Sequence, residues 1–520
     1  MQLRITENDA FITLSKPYDT RTTKLTDGQA GFVEFLSEKL SKSLFVIHPL
    51  DQGASGLILF AKSKEVSTKL SELFEKQQVK ITYYFLTEKK MHTPDLSPTF
   101  NVSSYIEKQH NTYFNSPSKE PNCATQFNFI KPLGKYFLWC AQTQTDRPQQ
   151  IRLHAKKAKI PILGDSEHGG LKYFRLALHA HKYEFSFNGQ DHLLESELPP
   201  LLSQEFNSNI EAVLNENYNK RHMLYKISTD ESYRILHIES DDLRADILND
   251  HLWIYDYSKH GLSEADKKSI ATFASLKNLK LTIRHLLGRG QGVGDLDNIT
   301  SVISDSKTEW QATEENIKYG LKIDSGLSAG LFLDQRENRK WVQQNCLKKS
   351  VLNLFSYTGG FSINAVLGGA QEVTTVDISP KFLEWSKENF LLNQLDPAKY
   401  EFFIQDSITF LKSNHKLDRR WDLIICDPPS LGRSQDSIWR LEGDLPALAK
   451  HMVDCLKLGG QILFICKLEK FSRSEIIDLF LKNLKHAKLE ISRLPMQSLD
   501  YELTDDLNNL MKCFLVTKIN

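Results

Sequence analysis

Short apolar runs separated by turn residues fill the first two hundred positions of the chain. The runs are FITLS, FVIHPLD, GLILFAKS, ITYYFLTE, FLWCAQTQT and ALHAHKYEFSF. These strand-like runs alternate with turn residues, which is typical of β-strands joined by short loops. The pattern therefore predicts a first domain, residues 1–215, built on a mixed and mainly antiparallel sheet.

A polar, asparagine-rich stretch, SQEFNSNIEAVLNENYNKRH, predicts a domain boundary near His222. The strand-like runs YRILHIE, ADILND and LWIYDY and a helical segment around 263–276 follow it, which predicts a small α+β module over 222–325. The loop RHLLGRGQGVGD then offers Arg284, Arg289 and flexible glycines that could follow a phosphate backbone. An ordinary solvated turn is an equal alternative.

Strands and helices alternate over residues 326–520. The strand-like runs are VLNLFSYTG, EVTTVDIS, YEFFIQD, WDLIICDPP and GGQILFIC, and a helical segment separates each from the next. This alternation is typical of a doubly wound, Rossmann-like parallel sheet. The whole chain is therefore predicted to be a multidomain protein of mixed α/β and α+β class.

Composition narrows the choice of function. The 65 basic and 65 acidic residues cancel, which argues against coating nucleic acid through bulk charge but leaves room for a local basic groove. Seven cysteines are scattered without a CxxC pair, so we expect neither a metal site nor a disulfide framework. Because no signal segment or membrane-spanning run is visible, we expect a cytoplasmic enzyme without a membrane partner.

Polar residues follow the carboxyl ends of four strands in the last part of the chain. Gly359 lets backbone approach a ligand closely after the first strand. Asp377 ends the second, where a carboxylate can accept both ribose hydroxyls, and Asp406 ends the third, where it can hold an adenine amino group. Asp427 and Pro428 begin a stiff turn after the fourth, aimed at a planar base. The dinucleotide fingerprint GxGxxG is missing.

Four fragments of the second half resemble class I S-adenosylmethionine-dependent methyltransferases of large-subunit ribosomal RNA, of the guanine-7 (RlmK) and cytosine-5 (RlmI) types. The fragments are GLSAGLFLDQRENRKWV, VLNLFSYTGGFSINAVLGGA, VTTVDISPKFLEWSKENFLLN and DLIICDPPSLGRS. The resemblance implies S-adenosylmethionine as cofactor, ribosomal RNA or a pre-ribosomal particle as partner, and Asp427 beside the transferred methyl group. The residues it assigns to cofactor binding are Asp334, Gln335, Arg336, Phe355, Tyr357, Gly359, Asp377, Asp406, Asp427 and Pro428.

The two types differ in the chemistry of the methylated base. A guanine ring nitrogen is already nucleophilic, so positioning it in line with the methyl group suffices. Cytosine carbon 5 first needs a thiolate at carbon 6, and the resemblance places Cys466 of LFICK near that role. A cysteine on a buried strand is more often a small apolar residue. The fragments KFLEWSKENF and LMKCFLVTK favour guanine, while cytosine stays open.

The stretch HPLDQGASG presents Asp51 on a turn between two apolar runs. It resembles the HRLDxxTSG motif of RluA-type pseudouridine synthases, and DAFITLSKP, QVKITYYF, TDRPQQIRLHAKKAKIPILGD and RLALHA follow the order of that family. The resemblance implies that Asp51 is the catalytic carboxylate and that Tyr83 packs on a flipped base. It also implies that Arg152 pairs with Asp51 and holds it ionised.

Four positions depart from the RluA-type pattern. Pro49 replaces an arginine, Ile81 a lysine, Asp146 a glycine and Pro148 a threonine. We therefore expect a bifunctional enzyme, with a methyltransferase-only protein as the alternative, whose first domain serves RNA binding. A third alternative is a ribosome-assembly factor that binds the cofactor without turnover.

Overall fold

The computed structural model of the chain describes residues 6–23, 31–89, 99–110, 112–206, 208–225, 232–237, 239–240, 242–286, 299–304, 308–323, 328–429, 431–433, 438–467, 471–484, 487–494, 500–501 and 511–519. Two compact units divide the chain. Unit 1 comprises Met1–Ser228 with Ala265–Phe273, and unit 2 comprises Thr229–Glu264 with Ala274–Asn520. No helix in the described ranges combines the length and the apolar character needed to cross a membrane.

The described strands of unit 1 form one mixed sheet. They are β1 (Thr6–Glu7), β2 (Phe11–Lys16), β3 (Phe45–Val46), β4 (Ser55–Ala61), β5 (Lys80–Glu88), β6 (Thr99–Gln109), β7 (Thr112–Ser116), β8 (Cys123–Leu133), β9 (Tyr136–Thr143), β10 (Leu178–Phe187) and β11 (Gln190–Glu195). The order is β1-β2-β4-β10-β5-β9-β8-β6-β7, with β3 beside β4 and β11 beside β10. Only the β4–β10 pair is parallel among these described strands. The sheet is thus mainly antiparallel, as the alternating pattern predicts.

Gly56 permits the parallel contact between β4 and β10. Its φ is +119°, a conformation that residues with a side chain rarely adopt. A Cβ atom at this position would lie 2.1 Å from the carbonyl oxygen of Ala180 on β10. Close backbone approach therefore explains the glycine that ends HPLDQGASG.

The helices of unit 1 include one that is polar and yet buried. They are α1 (Phe32–Leu40), α2 (Lys64–Glu75), α3 (Gln150–Lys157), α4 (Pro200–Ser203) and α5 (Asn209–Tyr225). On α5, Asn217 and Arg221 are both 0% exposed, and Glu216 receives a hydrogen bond from buried Arg175. The asparagine-rich stretch predicted as a boundary is therefore a packed helix. A domain end at residue 215 would cut through α5, whereas unit 1 continues to Ser228.

The first part of unit 2 is a small sheet and a hairpin. Its strands are β12 (Ser232–Leu236), β13 (Leu243–Leu248), β14 (His251–Asp256), β15 (Lys280–Leu286), β16 (Ile299–Ser304), β17 (Glu309–Glu314) and β18 (Ile317–Lys322). The order of the described sheet is β12-β13-β14-β15-β16, and β17 pairs with β18. Helix α6 (Glu264–Leu276) connects β14 to β15 in sequence, and its residues Ala265–Phe273 belong to unit 1.

The rest of unit 2 alternates strands and helices. The strands are β19 (Ser350–Leu354), β20 (Glu372–Asp377), β21 (Glu401–Ile404), β22 (Trp421–Cys426), β23 (Leu431–Arg433), β24 (Ile438–Arg440), β25 (Leu456–Cys466), β26 (Leu489–Arg493) and β27 (Lys512–Lys518). The helices are α7 (Arg336–Asn345), α8 (Gly360–Leu367), α9 (Pro380–Leu392), α10 (Ser407–Lys416), α11 (Leu441–Asp454) and α12 (Arg473–Leu481). The described main sheet has the order β21-β20-β19-β22-β25-β27-β26.

This sheet departs from a purely parallel one at its far edge. Strands β19, β20, β21, β22 and β25 run parallel, as predicted, but β27 is antiparallel to both β25 and β26. The carboxyl ends of β19, β20 and β22 meet at one edge, where a doubly wound sheet binds its ligands.

The two expected C-terminal domains share one core. Leu248 and Trp253 of the small sheet belong to the same hydrophobic cluster as Tyr319 of the hairpin and Ile363 and Phe390 of the helices around the main sheet. A boundary between residues 325 and 326 would divide this cluster, so the structure has one unit where two domains were predicted.

Candidate functional site

In unit 1, the turn that carries Asp51 rests on a buried lysine. The N–H of Ala54 donates to the Asp51 carbonyl at 3.1 Å and closes the turn. Lys16, the last residue of β2, is fully buried, and its ammonium donates to the Gln52 carbonyl at 3.0 Å. The same ammonium donates to two carbonyls just after β2, at 2.9 and 2.8 Å. Lys16 therefore fixes the backbone beside Asp51.

Arg152 on α3 faces Asp51 but is held by other carboxylates. Its Nη1 lies 3.7 Å from Asp51 Oδ2. Its Nε and Nη2 donate to the two oxygens of Asp165, at 2.8 and 2.7 Å, and Nη2 also donates to Glu167 at 2.6 Å. The Asp165 side chain is 0% exposed, so this two-point pair is enclosed. Arg152 thus contacts Asp51 as a charge, with no hydrogen bond between them.

Burial decides the acidity of Asp51. It raises the pKa of Asp51, and the positive charges of Arg152 and Lys16 offset only part of this effect. Burial also lowers the pKa of Lys16 to about 7. The Arg152 charge lowers the pKa of Asp51, in the direction that the resemblance implies, but burial outweighs this effect and the net direction is upward. A carboxylic acid with a raised pKa in a cleft is typical of functional sites.

Tyr83 joins Asp51 and Arg152 in the same pocket. It lies on β5 opposite Ala180 of β10 and Ala141 of β9, and it is 7% exposed. Burial raises the pKa of Tyr83, so the phenol is neutral. The structure therefore brings together the three residues that the RluA-type resemblance assigned to catalysis.

His48 and Asp146 add a second side-chain pair to this pocket. His48 is 3% exposed, its ring stacks on Phe74 with centroids 4.9 Å apart, and its Nε2 lies 2.6 Å from Asp146 Oδ2. Pro49 and Pro148 also line the pocket. Three of the four departures from the RluA-type pattern thus line the pocket of Asp51, and Asp146 brings a second carboxylate to the site.

In unit 2, the loop after β19 is held by Asp377. The carboxylate of Asp377, at the end of β20, accepts from the N–H of Tyr357 and from that of Ser379, both at 2.9 Å. Phe355 and Tyr357 have φ values of 54° and 50°, which a side chain disfavours. Gly359 follows with a φ of 79°. Burial raises the pKa of Asp377, although its backbone hydrogen bonds lower it.

Aromatic rings surround this loop. The Tyr357 ring centroid lies 4.6 Å from that of Phe382 and 5.4 Å from that of Phe332, and the Phe355 centroid lies 5.4 Å from that of Trp439. Burial raises the pKa of the Tyr357 phenol. The loop therefore offers flat apolar surfaces beside the Asp377 carboxylate.

Asp406 begins the helix after β21. Its Oδ1 accepts from the N–H and from the hydroxyl of Thr409, both at 2.9 Å, so Asp406 caps α10. This cap uses one carboxylate oxygen and fixes the side chain at the binding edge.

Asp427 follows β22 and binds Gln335. The Gln335 side-chain amide donates to Asp427 Oδ2 at 2.8 Å, and its oxygen accepts from Asn338 at 2.8 Å. Burial raises the pKa of Asp427 to about 6, and the nearby Lys467 offsets part of that effect. Pro428 behind it is buried. Asp427 is therefore held by an amide rather than by a cation.

Asp334 and Arg336 point to different partners. Asp334 Oδ2 lies 2.5 Å from Lys467 Nζ. Burial raises the pKa of Asp334, but the charge and hydrogen bond of Lys467, together with the charges of Arg234 and Arg339, outweigh burial and the pKa is lowered. Arg336 is 2% exposed, and its guanidinium donates to Asp500 at 3.1 Å and lies 3.4 Å from Glu314. These carboxylates enclose the Arg336 guanidinium, and the assignment of Arg336 to the cofactor cleft stays a prediction.

Cys466 is enclosed at the carboxyl end of β25. It is 1% exposed at the end of β25 and belongs to a hydrophobic cluster that includes Phe464 and Phe480. A thiolate nucleophile requires an accessible and electropositive environment. This location matches the alternative interpretation of Cys466 as a small apolar residue.

The glycine-rich loop proposed to follow a phosphate backbone lies largely outside the described residues, and Arg289 with it. Arg284 is described, on β15, where it is 2% exposed and its guanidinium lies 4.8 Å from the Trp253 ring centroid. Arg284 is therefore part of the packed interior rather than of a solvated loop.

One acidic and histidine group in the described part of the chain could hold a metal ion. It consists of Asp165, Glu167 and His168, whose ligand atoms lie within 4.8 Å of one another. Asp165 and Glu167 already bind Arg152, and the guanidinium charge opposes a cation there. The group is thus used as the anchor of Arg152.

Sequence reasoning gave no role to Lys16, His48 or Lys467. Lys16 and His48 lie within fragments that carry the resemblance, DAFITLSKP and HPLDQGASG. The amino-acid sequence of these fragments does not indicate that both residues are buried at the Asp51 turn. Lys467 directly follows a predicted strand, as Asp427 does. This position directly after a strand could have identified Lys467 as a candidate site residue.

Two parts of the chain match known sequence families. Residues 284–473 match the S-adenosylmethionine-dependent methyltransferases, and residues 10–157 match the RNA pseudouridylate synthases. S-adenosylmethionine is thus the cofactor of the family that the second segment of the chain matches.

Individual relatives agree with the methyltransferase match. The ribosomal RNA large subunit methyltransferase K/L of Pseudoalteromonas atlantica is 41% identical over 175 residues, which cover 33% of this chain and 24% of that protein. The protein of the same name from Shewanella sediminis is 32% identical over 296 residues, covering 54% and 39%. The chain therefore spans well under half the length of these relatives.

Two solved methyltransferase structures resemble a large part of this chain in fold. A protein described as an S-adenosylmethionine-dependent methyltransferase from Streptococcus mutans has a TM-score of 0.52 at 20% identity, over 65% of this chain and 88% of that one. A methyltransferase-like structure complexed with SAH has a TM-score of 0.54 at 20% identity over the same shares. At this identity the likeness concerns the fold alone.

Proposed function

We propose that unit 2 is an S-adenosylmethionine-dependent methyltransferase that modifies a base of large-subunit ribosomal RNA, with guanine N7 as the acceptor. The observation that carries this proposal is the set of polar groups at one edge of the main sheet. Asp377 ends β20 and Asp427 follows β22, on either side of β19 and the strained loop that begins at Phe355. The methyltransferase K/L names of the relatives support ribosomal RNA as substrate.

The residues present at this edge fit S-adenosylmethionine. The Asp377 carboxylate accepts two backbone N–H groups, which leaves further lone pairs for ribose hydroxyls. Ser356 and Ser386 each have a buried hydroxyl oxygen without a hydrogen-bond partner among the described residues. The Tyr357 and Phe382 rings supply flat surface for an adenine. Asp377, Asp406 and the loop after β19 would hold the cofactor.

The charges at the site favour guanine over cytosine. When bound, the cofactor supplies an electrophilic methyl group on a positively charged sulfur. Attack by N7 moves that positive charge onto the guanine ring, where the Asp427 and Asp334 carboxylates would stabilise it. Cytosine carbon 5 requires a thiolate, and Cys466 is packed in an apolar cluster.

A second activity is proposed for unit 1, the isomerisation of a uridine to pseudouridine. The observation that favours it is the convergence of Asp51, Tyr83 and Arg152 in one pocket, within a segment that matches the RNA pseudouridylate synthases. The alternative is an RNA-binding domain without catalysis, and the His48–Asp146 pair and Pro49 support it because they change the groups around Asp51.

Nucleoside mapping tests both proposals. Ribosomal RNA from cells with and without the gene is digested and analysed by mass spectrometry, and the purified protein then modifies the deficient RNA with a labelled methyl donor. We expect 7-methylguanosine and one pseudouridine to be lost without the gene and restored by the protein. Loss of the methyl mark alone would support the RNA-binding alternative for unit 1. No transfer at all would support a ribosome-assembly factor, and 5-methylcytidine would contradict guanine as the acceptor.

A further inference from the structure

Asp334 and Lys467 lie at the edge of the sheet that carries Asp427. Asp427 follows β22 and Lys467 follows β25, and these two strands are parallel neighbours, with Cys426 opposite Phe464. Asp334 reaches the same place from the turn before α7, with its Oδ2 2.5 Å from Lys467 Nζ. The negative charge of Asp334 raises the pKa of Asp427 and the positive charge of Lys467 lowers it. The ion pair is therefore adjacent to the Asp427 carboxylate.

The second oxygen of Asp334 lacks a hydrogen bond. Its Oδ1 is enclosed and accepts no hydrogen bond from the residues that the structure describes. An enclosed acceptor without a donor is destabilising, because it has lost its hydrogen bonds to water. Such an atom indicates a donor that arrives with a ligand. The ligand must also compete with Lys467 for Oδ2, and the Lys467 side chain is 40% exposed and has room to move.

An exposed aromatic ring completes the arrangement. Phe332, two residues before Asp334, is 40% exposed, and its carbonyl accepts from Arg339 at 2.8 Å. Lys467 Nζ lies 4.7 Å from the centroid of the Phe332 ring. Proteins hold an extruded base by stacking it on such a ring and by hydrogen bonds to its Watson–Crick edge. The Lys467 ammonium occupies the face of Phe332 on which a base would stack.

We propose that Phe332, Asp334 and Lys467 form the pocket that recognises the target guanine, an inference that rests on the proposed methyltransferase function. Asp334 accepts from N1–H and from the 2-amino group, Lys467 donates to O6, and Phe332 stacks on the ring. These hydrogen bonds use the Watson–Crick edge of guanine and leave N7 free toward Asp427.

Guanine fits this set of groups better than the other bases. A carboxylate needs two adjacent donors, and only guanine presents N1–H next to an amino group. The neighbouring O6 is an acceptor and suits an ammonium. Cytosine and adenine present one amino group beside a ring acceptor, and uracil presents one N–H between two acceptors, so each would leave Asp334 with a single hydrogen bond.

The test separates base recognition from cofactor binding. Asp334→Asn and Lys467→Met are compared with wild type in cofactor affinity by calorimetry and in kcat/KM for methyl-deficient ribosomal RNA. Each well-placed two-point base contact contributes roughly 1–3 kcal/mol, so we expect kcat/KM to fall roughly 5- to 150-fold in Asp334→Asn, with cofactor affinity unchanged. Lys387→Met is the matched control, because Lys387 forms an exposed ion pair with Glu384 at 2.6 Å outside this edge.

Inosine in place of the target guanosine tests the contact itself, since inosine lacks the 2-amino group. The wild-type rate of methyl transfer should fall when inosine replaces the target guanosine. The rate of Asp334→Asn, already reduced on guanosine, should fall little further on inosine. Equal losses in both proteins would contradict the role of Asp334, and a large loss of cofactor affinity in Asp334→Asn would assign the residue to the cofactor. If Asp334→Asn does not fold, Lys467→Met and the wild-type inosine comparison decide. A wild-type protein that binds cofactor and methylates no guanosine contradicts the proposed function itself, and the recognition pocket with it.

Discussion

The Arg152 guanidinium lies 3.7 Å from the Asp51 carboxylate, while Asp165 holds two of its other nitrogens. Arg152 is thus positioned by one aspartate and directs its charge toward the other. Asp51 keeps a raised pKa because burial outweighs this charge. The pocket therefore contains an aspartate whose ionised form is disfavoured by its surroundings, and this relationship gives the first two predictions.

Asp51→Asn should abolish pseudouridine formation and increase stability at neutral pH. The folded pKa of Asp51 is raised, so the folded state binds more protons than the unfolded state and loses stability as the pH rises from below the ordinary value of 3.8 through the raised value. Asparagine has no charge to desolvate. Chemical denaturation at pH 4 and pH 7 measures the difference between variant and wild type, which should be larger at pH 7. A difference independent of pH would contradict the raised pKa.

Asp165→Asn should destabilise unit 1 and also reduce pseudouridine formation. Removal of one partner of an enclosed ion pair costs about 3–5 kcal/mol, because the other charge is left without its partner. The Arg152 guanidinium would also lose the anchor that directs it toward Asp51. Denaturation and nucleoside mapping measure the two effects, and Glu167→Gln is the control, since the Glu167 side chain is 68% exposed. Full activity in Asp165→Asn would show that the anchor is unnecessary.

Asp377→Ala should weaken S-adenosylmethionine binding by about 1–3 kcal/mol, because buried ribose hydroxyls lose an acceptor. The N–H groups of Tyr357 and Ser379 also lose theirs, which loosens the loop after β19. Calorimetry measures the affinity. The matched control is Asp418→Ala, because the Asp418 side chain is 92% exposed in the same unit. Unchanged affinity in Asp377→Ala would remove Asp377 from the cofactor site.

Methyl transfer should increase as the pH rises through about 6, the pKa to which burial raises Asp427. Only the ionised carboxylate stabilises the charge that develops on guanine. The same raised pKa means that folding stability falls as the pH rises from about 4 to about 6, since the folded state retains the proton longer. Asp427→Asn should lose both pH dependences. Single-turnover rates and denaturation at several pH values measure these two dependences. A wild-type rate that does not rise through about pH 6 would contradict the role of ionised Asp427.

Cys466→Ala should retain methyl transfer. Cys466 is 1% exposed in an apolar cluster, so we expect a loss of stability of about 1 kcal/mol and little change in rate. Cys455→Ala, a buried cysteine of the same cluster, is the control for packing. Complete loss of transfer in Cys466→Ala alone would instead support cytosine carbon 5 as the acceptor.

The sequence pattern predicted the strands correctly where apolar runs alternated regularly with turns or with helical segments. The apolar runs FITLS and GLILFAKS, each set between turn residues, predicted β2 and β4, and strand–helix alternation predicted the parallel strands from β19 to β25. Helix α5 was misread because its polar residues are buried through specific partners, such as Arg175 for Glu216. The pattern of hydrophobic residues does not show such pairs, so the sequence of a buried polar helix resembles that of a linker.

The site residues show the same limit. Motif position correctly grouped Asp51, Tyr83 and Arg152 in one pocket. It could not give the direction of the Asp51 pKa, which depends on burial, nor the partners of Arg336, which come from residues as distant as Asp500. Side-chain direction at these positions is a property of the packed structure.

The position of β27 between β25 and β26 limits the order in which unit 2 assembles. β26 precedes β27 in the chain, yet in the described sheet it pairs only with β27. It therefore joins the main sheet only through residues 512–518, which pair with β25. Contacts between distant parts of a chain form slowly. We expect the far edge of this sheet to be the last part to gain protection in pulsed hydrogen exchange.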